Sequence, residues 1–311
     1  MEVAISAVLT IVGLVLLCFG GNWLVSGGVA IAKKFRISNL VIGITIVAYG
    51  TSTPELAASI AAAGEHSALI LGNIIGSNIA NVGMVIGIAA IITPLVVSKS
   101  VLKKEIPIML GVSLLLVLIS IDGEISMYDG ILLLAGLGVF AFYTYKDAMK
   151  QRKENKEEIK QSKNKIHLKS IGLIGLGIVL LYVGAELTVD NAVILAKEFG
   201  LSEKIIGLTV IAIGTSLPEL ITSIIAIRKG HADIGIGNII GSNIYNILMI
   251  MGVGAALGGV VIASDVYVDY AIMIIFSLSL LIALKTGIIN KAMGVCLTIG
   301  YVAYLAVTFF K

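Results

Sequence analysis

The chain has 311 residues, of which 58% are hydrophobic and only 13% charged, with a formal net charge of +3. A soluble domain carries roughly 25% charged residues, so this composition excludes an ordinary water-soluble globule. The net charge is uninformative as a total and its distribution matters more; no nucleic-acid partner is expected.

Ten stretches are long and apolar enough to cross a bilayer, which takes about 20 mostly apolar residues. They cover 3–31, 38–64, 68–95, 104–121, 127–145, 169–196, 203–227, 232–260, 267–284 and 289–310. None alternates apolar and polar residues as a barrel strand does, so a bundle of ten transmembrane helices is predicted. The first stretch lacks a basic start and runs directly into Lys33, Lys34 and Arg36, so it is expected to remain as a helix and not to be cleaved as a signal peptide. Cys18 and Cys296 are isolated within apolar runs and are read as packing residues. The three histidines, His66, His167 and His231, fall in predicted loops.

Nine of the 22 Lys and Arg lie between Lys146 and Lys169. Placing this loop in the cytoplasm puts 19 basic residues on that side, with both termini outside. The loop is read as a solvated linker, giving a first unit over 1–146, a cytoplasmic linker over 147–168 and a second unit over 169–311.

Self-comparison reveals two units. Residues 42–56, IGITIVAYGTSTPEL, match 206–220, IGLTVIAIGTSLPEL, at 10 of 15 positions; residues 72–82, GNIIGSNIANV, match 237–247, GNIIGSNIYNI, at 9 of 11. Each unit holds five predicted helices, an odd number, so the second must enter the membrane inverted. Inverted-topology repeats place a binding site at their interface near the midplane.

The first motif interrupts an apolar span with Gly50-Thr51-Ser52-Thr53-Pro54-Glu55, repeated as Gly214-Thr215-Ser216-Leu217-Pro218-Glu219. Proline removes a backbone donor, so carbonyls over Ala48–Thr51 and Ala212–Thr215 are expected to lose helical partners. A carboxylate follows in both copies, with no Lys or Arg in mid-span to pair it. Carboxylate, hydroxyl and carbonyl together form a hard-oxygen shell suited to Ca2+ or Na+, and an intramembrane acid is a functional-site candidate. In the second motif Ser77 and Asn81 share a helix face, as do Ser242 and Asn246, and offer neutral oxygens to the same cavity. Gly72, Gly76, Gly237 and Gly241 are read as close-packing positions, and Asn73, Asn78, Asn238 and Asn243 as groups that bond backbone. Glu186 and Asp190 break the repeat and are placed near the outer surface. No nucleophile with a matched base is evident, so an enzyme is disfavoured.

On the paired GTSxPE and GNIIGSNIxN motifs the chain resembles the sodium/calcium exchanger family of the cation/Ca2+ antiporter superfamily, in its short microbial form, over essentially its whole length. The resemblance implies a secondary active antiporter that exchanges Na+ for Ca2+ by alternating access, without a cofactor or an obligate protein partner. It implies that Glu55, Glu219, Thr51 and Thr215 bind Ca2+, and that Ala48, Ser52, Ser77, Asn81, Ala212, Ser216, Ser242 and Asn246 complete Na+ sites. Proton-coupled relatives carry GNxxE where this chain has GTS before Pro and Glu, and potassium-dependent relatives commonly have Asp at the position of Asn246. H+-coupled or K+-dependent exchange is therefore the alternative, and a cation channel the alternative from another class.

Overall fold

The computed structural model describes residues 2–64, 67–154, 168–200, 212–263 and 266–310. Within them the chain is helical apart from loops and four two-residue strands. His66, His167, Lys204, Asp265, most of the central charged loop and the first part of the 203–227 span lie outside the described residues.

Helix α1 runs Glu2–Phe35. A bent pair follows, α2 over Asn39–Thr51 and α3 over Thr53–Ala62, with axes 44° apart. Next come α4 over Ser67–Ile92, α5 over 101–119, α6 over Met127–Glu154 and α7 over Leu168–Glu198. The second broken span is α8, Ala212–Thr215, and α9, Leu217–Arg228. The fold closes with α10 over Ala232–Gly258, α11 over Val266–Thr286 and α12 over Lys291–Phe310.

Seven of these helices are each long and apolar enough to cross a membrane, and the α2–α3 pair makes an eighth span if counted as one. The chain is thus an all-helical integral membrane protein. The predicted span at 104–121 corresponds to α5, whose α-helical stretch after Glu105 is 14 residues.

Helices α4 and α10 form the centre: 83% of the apolar stretch of each is buried, against 17–28% in the other five long helices. Their asparagines and serines therefore face protein, while α1, α6, α7, α11 and α12 turn apolar side chains outward. Glycines let α10 press on α2. A Cβ at Gly241 would meet the Ile44 carbonyl at 2.6 Å and Ala48 Cβ at 2.7 Å, and one at Gly237 the Leu40 carbonyl at 2.9 Å. Gly72 and Gly76 meet nothing within 4 Å among the described residues; residues 203–211, which match the start of α2, lie outside them.

Outside this centre, α1 and α7 pack on each other along a seam of small residues. Gly13 opposes the Gly184 carbonyl at 2.8 Å, Gly20 that of Gly177 at 2.9 Å, and Gly27 that of Ser170 at 2.9 Å, distances measured from a Cβ built on α1. As α1 advances seven residues its partner retreats seven, so the two are antiparallel. They share a separate apolar cluster, with Leu17, Leu24 and Val25 against Leu181 and Ala185, joined to the centre through Ile42, Val47, Ala226 and Ile234.

Four strands clasp the loops: β1, Leu95–Val96; β2, Glu124–Ile125; β3, Val260–Val261; and β4, Ile288–Ile289. β1 pairs antiparallel with β4, and β2 with β3. β1 and β3 are 165 positions apart and β2 and β4 164, the offsets of the two sequence motifs, so each clasp joins one unit to the other.

The loops fall into two sets, each linked within itself. In one, Ser38 N–H donates to Gln151 at 2.8 Å, Asn39 meets His231 at 3.3 Å, and Lys104 pairs with Asp147 at 3.8 Å. In the other, Val261 N–H donates to Ser67 at 3.1 Å, and Ile262 N–H to the Gly123 carbonyl at 2.9 Å. These contacts join only loops expected on the same side of the membrane.

Candidate ion-binding site

The two breaks are alike. Ser52 leaves helical geometry at φ −84°, ψ 9° and Ser216 at φ −89°, ψ 3°, and each is followed by a helix with proline in its first two positions. There the absent N–H breaks no hydrogen bond, so proline stops the first helix and starts the next. Glu55 and Glu219 consequently occupy first turns, where unpaired N–H groups present the positive end of the helix dipole to a carboxylate.

Serine at such an N-cap ordinarily bonds the free N–H groups of the first turn. Neither does so here. Ser52 Oγ donates instead to Glu219 Oε1 at 3.2 Å, and Ser216 Oγ is buried without a partner. Neither hydroxyl is spent on capping its helix.

Around Glu219, Ser242 Oγ also donates to Oε1, at 3.4 Å, and lies 3.4 Å from Thr51 Oγ1. Thr51 Oγ1 has two acceptors for its single proton, Asn238 Oδ1 at 3.0 Å and the Ala48 carbonyl at 3.2 Å. Thr51, Ser52, Ser242 and Glu219 therefore form one cluster drawn from both units. Glu55 and Glu219 are each 1% exposed.

The expectation that these carbonyls lose their helical partners fails at Ala48. Ala48 O accepts the Ser52 N–H at 3.0 Å, and Tyr49 O accepts Thr53 Oγ1 at 3.0 Å. A turn that ends at Ser52 and a threonine at position 53 supply partners that the proline rule alone does not anticipate. Thr53, which stands where the second copy has Leu217, caps Tyr49.

Buried polar atoms nearly always have partners. Among the described residues nine buried side-chain atoms have none, and six are on residues expected at the site: Glu55 Oε2, Ser77 Oγ, Asn81 Oδ1, Ser216 Oγ, Glu219 Oε2 and Asn246 Oδ1. All six are oxygens, two of them on carboxylates. That is the donor set a hard cation would complete. Among the described residues no group of three His, Cys, Asp or Glu forms, so a cation here would rest on two carboxylates and neutral oxygens.

Of the remaining expected residues, Thr215 is half-buried and Ala212 opens the described part of α8. Glu186 and Asp190 are exposed on α7.

The four asparagines read as backbone-bonding do bond backbone. Asn73 Nδ2 donates to the Glu55 carbonyl at 3.3 Å and Asn238 Nδ2 to that of Glu219 at 3.5 Å. Asn78 and Asn243 donate to each other's carbonyls at 3.4 Å. Ser59 and Ser223 had not stood out in the sequence, yet each accepts from the asparagine behind its carboxylate, at 3.2 and 3.0 Å. Their position four residues after each glutamate was the available signal.

The sodium/calcium exchanger protein family model matches residues 5–146 and 169–310. Inner membrane protein YrbG of Escherichia coli strain K12 is 36% identical over 315 residues, covering 98% of this chain and 97% of that protein. Sodium/calcium exchanger MaX1 of Methanosarcina acetivorans is 32% identical over 349 residues, 99% of each. Among solved structures, the sodium-calcium exchanger NCX_Mj soaked with 2.5 mM Na+ and 10 mM Sr2+ superposes with a TM-score of 0.86 at 34% identity, covering 98% of this chain and 99% of that one. With both units matched by the family model and full-length relatives above 30% identity, the chain belongs to the sodium/calcium exchanger family.

Proposed function

We propose that this cation/Ca2+ antiporter exchanges Na+ for Ca2+ by alternating access. In this reading Glu55, Glu219, Thr51 and Thr215 hold Ca2+. Ala48, Ser52, Ser77, Asn81, Ala212, Ser216, Ser242 and Asn246 complete Na+ sites around them. The observation that carries it is the set of six partnerless buried oxygens on these residues.

Charge explains why transport would be exchange and not leak. Empty, the site holds about −2, and a carboxylate at mid-membrane costs roughly 2.5–3.5 kcal/mol even on insertion scales. Moving the empty site through an occluded state would cost about 5 kcal/mol or more, suppressing it by roughly three orders of magnitude. Ca2+ or several Na+ cancels that charge, so either load permits the transition.

The architecture would be ten spans in two inverted five-helix units, 1–146 and 169–311, joined by a cytoplasmic linker over 147–168, with both termini outside. The clasps between units at the motif offsets support this symmetry. The moving part would be the α1–α7 pair, which has its own apolar cluster and a glycine seam. The lipid bilayer is its surrounding partner.

The test is radiolabelled Ca2+ uptake into proteoliposomes loaded with Na+, K+ or a proton gradient, for the native chain, Glu55→Gln and Glu219→Gln. Uptake driven by internal Na+ alone and lost in both variants is expected. Uptake driven by protons or dependent on K+ would overturn the coupling, and uptake surviving both substitutions would overturn the site.

A further inference from the structure

Asn78 and Asn243 sit where α4 crosses α10, and their bonds form a closed, two-fold pattern. Asn78 Nδ2 points at two atoms that only accept, the Asn243 carbonyl at 3.4 Å and Met273 Sδ at 3.6 Å. Asn243 Nδ2 does the same with the Asn78 carbonyl at 3.4 Å and Met109 Sδ at 3.6 Å. A thioether and a carbonyl have no proton to give, so the amide nitrogen must face them and Oδ1 must face the other way. What meets that oxygen has to be a donor. Asn246 Nδ2 meets Asn78 Oδ1 at 3.0 Å, and Asn81 Nδ2 meets Asn243 Oδ1 at 2.9 Å.

The orientation of one carboxamide thereby decides that of the next. With their nitrogens engaged, Asn81 and Asn246 turn Oδ1 away, and both oxygens are buried without a partner. Each also begins a π-helical turn, Asn81–Ile86 and Asn246–Met251, a local widening that frequently marks functional positions. A carboxamide free to flip would present its N–H groups to a cation as readily as its oxygen, and N–H repels a cation.

We propose that Asn78 and Asn243 are positioning residues which, acting across the two units, lock the carboxamides of Asn246 and Asn81 with their oxygens toward the transported ions. Neither positioning residue touches the ion. The inference rests on the ion site proposed above and adds the reason its two amides present one face only.

The experiment is a double-mutant cycle between Asn78 and Asn246, read as Na+-driven Ca2+ uptake by the full chain in proteoliposomes against internal Na+ concentration. Removing the lock should act on binding and not on turnover. Asn78→Ala is expected to raise the half-saturating Na+ concentration about fivefold, the worth of one hydrogen bond, with the maximal rate held within about twofold. Once Asn246→Ala has removed the group being oriented, adding Asn78→Ala should shift half-saturation no further. An unchanged half-saturation in Asn78→Ala, shifts that multiply in the double variant, or a fall in maximal rate alone would overturn the lock. If Asn78→Ala does not fold, Asn78→Ser, which fills more of the space, is read in the same cycle against the same outcomes. Failure of the ion site itself is seen separately, as uptake that survives Glu55→Gln and Glu219→Gln.

Discussion

Ser52 Oγ donates to Glu219 Oε1 at 3.2 Å, and the two residues are 167 positions apart in the chain. The serine ends the first broken helix and the carboxylate opens the second restarted helix, so this hydrogen bond joins the two copies of the repeated motif. Thr51 extends the same relationship, reaching Asn238 at 3.0 Å and Ser242 at 3.4 Å on α10.

Replacing Ser52 with alanine removes one of two hydroxyl donors to Oε1, the other being Ser242 at 3.4 Å. A hydrogen bond to a charged group contributes about 1.5–3 kcal/mol. We expect Ser52→Ala to raise the Ca2+ concentration for half-maximal uptake at least about tenfold, with folding intact because the serine makes no cap bond to lose. Half-saturation within about twofold of native would show that Ser52 does not support Glu219.

Gly241 sets how closely α10 approaches the helix that ends at the break. A methyl group there meets Ile44 O at 2.6 Å and Ala48 Cβ at 2.7 Å, and backbone cannot rotate aside as a side chain can. Overpacking of this kind costs about 1–3 kcal/mol. Gly241→Ala should lower the melting temperature in detergent and weaken Ca2+ uptake together, since α2 carries Thr51 and leads to Ser52. Gly172→Ala is the control: it is exposed, meets nothing within 4 Å among the described residues, and gains helix propensity. Equal behaviour of the two variants would refute close packing as the role of Gly241.

Much of the candidate site was legible because its signals are local. Proline beside a carboxylate in an apolar run marks a broken helix, and the repetition marks two of them. The buried serines and asparagines follow from being polar at membrane depth. What was hidden depends on partners far along the chain. Nothing near Asn78 indicates that its oxygen serves Asn246, 168 positions away, and two-residue strands are too short for a period-two pattern. The carbonyl of Ala48 was misjudged because proline at 54 removes the donor to the carbonyl four residues before it, that of Gly50, and leaves the Ser52 N–H free to bond Ala48.

The α1–α7 seam leads to a prediction about rate. A Cβ at Gly20 meets Gly177 O and Leu181 N, both at 2.9 Å, so Gly20→Val must push the two helices apart. If this pair moves against the centre during transport, the substitution disturbs the moving part and leaves the carboxylates in place. We expect uptake to slow about tenfold or more, the effect of a barrier raised by about 1.4 kcal/mol, with Ca2+ binding to the solubilised protein within about threefold. Loss of binding in parallel with rate would place the seam's role in assembling the site and not in motion.

His231 gives a pH dependence that is separate from the ion site. It lies in the loop between α9 and α10, and partial burial, with Lys33 and Lys229 nearby, holds its imidazole below the ordinary value of 6.5. The neutral ring can accept from Asn39 Nδ2, which lies 3.3 Å from Nδ1, and protonation ends that role. Well above 6.5 the ring is neutral in both folded and unfolded chains, and it makes no contribution to the pH slope. As pH falls below 6.5 the unfolded chain takes up the proton first, so stability declines until the folded-state value is passed and then levels off. His231→Gln cannot titrate and should lose this component. The check is the fall in melting temperature between about pH 7 and pH 5, expected to be larger in the native chain than in the variant. Equal falls would mean that the folded chain protonates His231 as readily as the unfolded one, and that the lysines do not press on it.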